Sequence, residues 1–266
     1  MLEQAQAFLD ESDALDSVVD TLDDAALMQT TQFKTWTIAD VIRHLHFWNR
    51  AADLALTDGP SFKALYADAM AFLQAGGSLS GFEAETLADL TGRALVAAWR
   101  ERYRQTAERF GNADPKTRVL WAGPDMSVRS CITARQMETW AHGHEVFDQL
   151  GRQRTESDRL KNIVFLGVNT FGWSFKVHGL PVPAAMPYLS LTAPSGAHWT
   201  WGDPADTDRI DGSALAFAQV VTQVRHVDDT DLRPSGPIAE QWMANAQCFA
   251  GPPETPPAPG TRFRRQ

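Results

Sequence analysis

The stretch Thr133–Leu150, TARQMETWAHGHEVFDQL, reads as one amphipathic helix with Glu138 and His142 a single turn apart. A helix advances about 100° per residue, so side chains at i and i+4 leave it along nearly the same line. Ala134, Glu138, Ala141, His142 and Glu145 share that face, and the two alanines leave room around the polar pair. A carboxylate on an inward face is costly without a partner, so Glu138 points to a cation or a hydrogen-bond network. The same spacing on a solvated face is an ordinary ion pair worth a few tenths of a kcal/mol. A second histidine-bearing helix decides between the two readings.

That helix is WTIADVIRHLHFW, residues 36–48, with Thr37 as its cap and a run from about Ile38 to Leu56. Its apolar stripe is Ile38, Val41, Leu45, Trp48 and Ala52. His44 and His46 lie about 200° apart on it, so one of them points into a bundle. His44 sits beside Trp48 at the edge of the stripe, and His46 lies toward Arg43 and Arg50. His44, Glu138 and His142 then form an open His/Glu/His site between facing helices, where bundle proteins assemble metal centres. Glu145 is a further candidate, as a fourth ligand, a group orienting a histidine ring, or a general base.

Helical spacing recurs in residues 2–23, through Phe8, Leu9, Leu15, Val18, Val19 and Leu22. It recurs again from about Glu83 to Phe110, through Leu87, Leu90, Leu95, Val96, Trp99 and Tyr103. A less regular segment around Leu65–Phe72 is a further helical candidate, before the break AGGSLSG at 75–81. Four long helices in about 150 residues predict a four-helix bundle over residues 1–152. Beyond it the pattern changes. Arg159–Val177 reads as one helix, YLSLTAP and AHWTWGD as two strands joined at Ser195-Gly196, and TDRID as a third strand. Helical stretches follow near 213–224 and 237–249, and PPETPPAPGTRFRRQ reads as a disordered tail. The expected class is α+β: a helical bundle, a smaller α/β domain over 153–251, and a tail over 252–266.

A formal net charge of -9 gives no long-range attraction to nucleic acid. Two cysteines, Cys131 and Cys248, form no C-x-x-C pattern, which suits a reducing cytoplasm. The acidic N-terminus is unlike a signal peptide, and no run reaches the roughly 18 apolar residues of a membrane span. The expected protein is cytoplasmic, acts on a small molecule, and is a monomer or homodimer with no nucleic-acid or membrane partner.

WTIADVIRHLHFWNRAA and ARQMETWAHGHEVFDQLG together resemble the metal-binding N-terminal domain of mycothiol-dependent maleylpyruvate isomerases, a branch of the DinB-like superfamily. The resemblance spans about residues 5–151. Matched residue by residue, the family's metal ligands fall on His44, Glu138 and His142. LTAPSGAHWTWGD, VVTQVRHVDDTDL and AQCFAGPP look like the second domain of a less characterised subgroup described only as metal-binding.

An N, N, O ligand set suits Zn²⁺, with Ni²⁺, Fe²⁺ and Mn²⁺ as alternatives. The resemblance implies a low-molecular-weight thiol cosubstrate, hence a metal-dependent thiol transferase or thiol-dependent isomerase acting on a small electrophile. In that reading Arg225 supplies a cation for substrate carboxylates and His226 transfers a proton. The alternatives are a metal-dependent hydrolase with Glu145 as its base, or a non-catalytic metal-binding or stress-response protein.

Overall fold

The computed structural model, which describes residues 1–266, divides the chain at Gly151 into two units, Met1–Gly151 and Arg152–Gln266. The first contains α1 (Glu3–Val19), the single-turn α2 (Asp24–Leu27), α3 (Ile38–Thr57), α4 (Gly59–Gln74), α5 (Leu79–Thr86) and α6 (Gly92–Asn112). A two-residue pair, β1 (Arg118–Val119) and β2 (Met126–Ser127), leads into α7 (Val128–Gln149). Helices α1 and α3 each pack against both α6 and α7, which makes the four-helix bundle. No helix is long and apolar enough to cross a membrane.

Local chemistry sets the helix starts. Thr37 opens α3 with a capping box: its hydroxyl accepts from the Asp40 amide at 3.1 Å, and the Asp40 carboxylate accepts from the Thr37 amide at 2.9 Å. Such a cap contributes about 1 kcal/mol. Ser127 caps α7 through the Ser130 amide, so that helix begins five residues before the Thr133 at which its spacing first shows. Asp58 caps α4, which forms a full helix where the sequence pattern is irregular. The bundle core joins Phe8 and Leu15 of α1, Val41 and Leu45 of α3, Trp99 and Tyr103 of α6, and Ile132 and Val146 of α7.

One long helix was expected over Glu83–Phe110, and the structure breaks it. Helix α5 stops at Thr86 and α6 restarts at Gly92, whose φ of 52° is left-handed. The Asp24 carboxylate lies against Gly92, where a Cβ would collide with it, and accepts the Arg93 amide at 2.8 Å. A side chain from a distant helix thus satisfies a first-turn donor of α6. The break frees Glu83 from the line of α6 and places it on α5, which packs on α3.

Both histidines of α3 are buried, His44 at 8% and His46 at 5% exposure, where one inward-facing ring was expected. Helix α3 is covered on several sides, by α4, α5, α6 and α7, so rings about 200° apart both find cover. Burial, with Arg102 and Arg50 nearby, pushes the His46 pKa down to about 4. The native state therefore keeps His46 neutral while the unfolded chain protonates near 6.5. Stability from this group is complete above pH 6.5 and drains away as pH falls toward 4, by about 3 kcal/mol in all. His46→Leu is expected to flatten that part of the stability profile, measured by urea unfolding between pH 7 and 4.

The second unit contains a 3-10 turn at Asp158–Leu160, then α8 (Lys161–Asn169), α9 (Phe171–Val177), β3 (Tyr188–Thr192), β4 (His198–Trp201) and β5 (Arg209–Ser213). It continues through α10 (Ala214–Val221), β6 (Arg233–Ser235) and α11 (Pro237–Asn245). The sheet order is β4-β3-β5-β6, with β3 antiparallel to β4 and parallel to β5. Gly196, at φ 85°, makes the β3–β4 turn where the sequence places it. The single helix expected over 159–177 breaks at Thr170, whose hydroxyl bonds back to the Leu166 and Gly167 carbonyls. Strand β6 was not expected: Arg-Pro-Ser carries no alternation, and proline is tolerated there because β6 is an edge. Residues 252–266, expected to be disordered, form no helix or strand but are tied down. The Glu254 amide donates to Gln247 Oε1 at 2.9 Å, the Gly260 amide to Asp229, and Arg262 to the Gln223 carbonyl at 2.8 Å.

Candidate metal centre

Helix α3 brings His44 to the face of α7 that carries Glu138 and His142. Glu138 Oε2 lies 3.4 Å from His142 Nε2 and 3.9 Å from His44 Nε2. One donor atom from each residue falls within 4.8 Å of the others. Both nitrogen–oxygen gaps are longer than a good hydrogen bond. Ligands around a first-row cation at about 2.0–2.2 Å stand about 3–3.6 Å apart, and an N, N, O set is ordinary for zinc. The residues therefore fit a divalent metal. Their side chains are 10%, 24% and 12% exposed for His44, Glu138 and His142, so Glu138 marks the side most open to solvent.

Glu83 joins this group, where the sequence placed it only at the start of a helix. Its Oε1 lies 2.8 Å from His44 Nδ1 and accepts the Trp48 indole N–H at 2.9 Å, while the residue itself is 1% exposed. When His44 is neutral, an Nδ1 proton directed at Glu83 leaves the Nε2 lone pair facing Glu138 and His142. Nothing local marks Glu83 as a partner of His44, because the two lie 39 residues apart in sequence. Removing such an outer carboxylate typically weakens metal affinity 10–100-fold. Glu83→Ala is expected to raise the zinc Kd by about that factor, read by competition with a chromophoric chelator.

Electrostatics within the group are shared. Burial lowers the His44 pKa, but Glu83 and Glu138 together outweigh it and raise the imidazole to about 9. Burial raises that of Glu138, and contacts with His142 and His44 and the nearby Arg135 charge overcome it, holding the carboxylate ionised. Burial lowers that of His142, keeping its ring neutral. Arg135 is a second missed residue: three positions before Glu138 on α7, it is 2% exposed and donates from Nε to Asn49 Oδ1 at 3.0 Å.

The other sequence candidates have these immediate surroundings. Glu145 is buried on α7, two turns or about 10.5 Å beyond Glu138, outside the converging donor atoms. Arg225 belongs to the second unit and donates to the Val224 carbonyl at 3.0 Å. His226 caps the turn at Val227–Asp229, its Nδ1 accepting the Asp228 amide at 3.1 Å. Cys131 is buried, and burial pushes its thiol up to about 12, which leaves it inert.

Residues 8–147 match the family model described as the mycothiol maleylpyruvate isomerase N-terminal domain. Two uncharacterized proteins of Mycobacterium tuberculosis, from strains CDC 1551 / Oshkosh and ATCC 25618 / H37Rv, are each 38% identical over 246 residues, 91% of this chain and 93% of theirs. The crystal structure of a mycothiol-dependent maleylpyruvate isomerase superposes with a TM-score of 0.57 at 17% identity, over 88% of this chain and 95% of that one. A histidine-to-alanine mutant of that enzyme gives 0.56 at 16%. At such identity the two structures establish a common α+β fold. The matched segment, more than half of the sequence, and the bundle it forms place this chain in the mycothiol maleylpyruvate isomerase N-terminal domain family.

Proposed function

We propose that this protein is a metal-dependent thiol transferase or thiol-dependent isomerase acting on a small electrophile, with His44, Glu138 and His142 holding zinc. The observation that carries the reading is the convergence of three donor atoms from two helices, one of them oriented by the buried carboxylate of Glu83. A divalent cation held there supplies Lewis acidity that favours the anionic form of a thiol near neutral pH. The family match favours a thiol such as mycothiol as the cosubstrate.

The chain's own groups do the positioning. Glu83 fixes the tautomer and tilt of His44. Glu138 contributes the negative oxygen, held ionised by its neighbours. Trp36 stacks on His142 at 5.7 Å and 12°, and Phe33 meets that ring edge-on at 5.2 Å, so the two rings hold the imidazole in place. Arg135 adds buried positive charge one turn from Glu138, which favours anions near the ligands.

The test is elemental analysis of untagged protein together with a mycothiol-dependent electrophile assay. About one divalent ion per chain, with turnover that a chelator abolishes and zinc restores, is expected. Wild-type protein that is purified without metal and takes up none of the added zinc would overturn the reading.

A further inference from the structure

Aromatic rings flank the ligands and continue beyond them. Trp36 lies 5.2 Å from His44 and nearly parallel to His142, and Trp48 lies 6.3 Å from His44. Trp48 meets Trp121 at 5.6 Å; Trp121 stacks on Phe62 at 6.1 Å, and Phe62 on Tyr66 at 6.2 Å. Trp99 and Trp140 are fully buried in the core, whereas Trp36, Trp48 and Trp121 are half-buried. Two of them are also pinned. The Trp48 N–H is held by Glu83, the carboxylate that orients His44, and the loop carrying Trp121 is tied by the Tyr66 hydroxyl to the Ala122 carbonyl at 3.0 Å. One side chain thus sets both a ligand and the ring beside it. Fixed, half-buried indoles beside His44 and His142 favour a flat partner over a saturated one.

We infer that the electrophile handled at this centre carries a flat conjugated ring, which lies against Trp36 and Trp48 while its reacting carbon faces His44, Glu138 and His142. The inference rests on the thiol-addition reading above. In the step itself, sulfur forms a bond to the conjugated carbon, the carbon–carbon π bond breaks, and the thiol proton ends on the adjacent carbon. No oxidant or reductant is consumed.

Two enones with the same reacting group separate the alternatives: benzylideneacetone, and the enone in which methyl replaces its phenyl. Each kcat/KM is measured on zinc-loaded protein with mycothiol and divided by the uncatalysed rate constant for the same pair. The ring-bearing enone is expected to be favoured at least about tenfold, a ratio that falls toward one in Trp36→Leu and is restored in part by Trp36→Phe. Equal treatment of both enones by an active wild type overturns the inference and leaves the thiol chemistry standing. Calorimetric titration with naphthol, a ring with no electrophilic carbon, covers an inactive protein. Naphthol binding to wild type that Trp36→Leu loses supports the aromatic site even where thiol turnover fails, and absence of binding at millimolar naphthol overturns it.

Discussion

His142→Ala is expected to reduce bound metal from about one divalent ion per chain to a trace. The argument rests on ligand number. His142 Nε2 stands 3.4 Å from Glu138 Oε2, and with His44 it supplies the only two nitrogens of the converging set. Loss of an outer partner costs roughly 10–100-fold in affinity, and loss of a direct ligand costs more than that. Thermal unfolding gives a second reading. A metal that binds only the folded state at a hundred times its Kd adds about 2.7 kcal/mol of stability. That zinc-dependent rise is expected in wild type and not in His142→Ala. A variant that still carries one ion per chain would remove His142 from the ligand set.

Trp140→Ala is expected to do the opposite, lowering stability by about 3–5 kcal/mol while leaving a zinc-dependent rise in place. Trp140 sits on α7 between the two ligands in sequence, yet it points into the core, fully buried and edge-on to His144 at 4.4 Å. Removing a large buried ring forfeits its burial and leaves a cavity that close-packed neighbours fill only in part. Urea unfolding with and without zinc checks both halves. The pair of variants separates ligation from packing on one helix: one removes the metal term and the other the core term. A loss below 1 kcal/mol in Trp140→Ala would show that the site collapses or that water replaces the ring.

The convergence of His44, Glu138 and His142 was legible in the sequence because each part of it is local. Glu138 and His142 lie on one line of one helix, and Thr37 marks where α3 begins and therefore which way His44 turns. The β3–β4 hairpin was equally local, with Gly196 at its turn. Resemblance to the family added the choice of thiol chemistry, which no spacing in the chain expresses.

What the sequence by itself determined, then, is the phase of each helix and which residue types share a face, since period and capping act over a few residues. Only the tertiary structure decided which faces meet. Asp24 ends a helix that its own periodicity would continue, by capping α6 from a distant turn. That break releases Glu83 to His44 and Trp48, and it brings together a carboxylate and an imidazole 39 residues apart. His46 is buried because α3 is surrounded, and residues 252–266 are held because Asp229, Gln223 and Gln247 lie where the tail passes. Each of these depends on the path of the chain between elements, which local pattern does not encode, and on buried polar groups finding partners wherever packing places them.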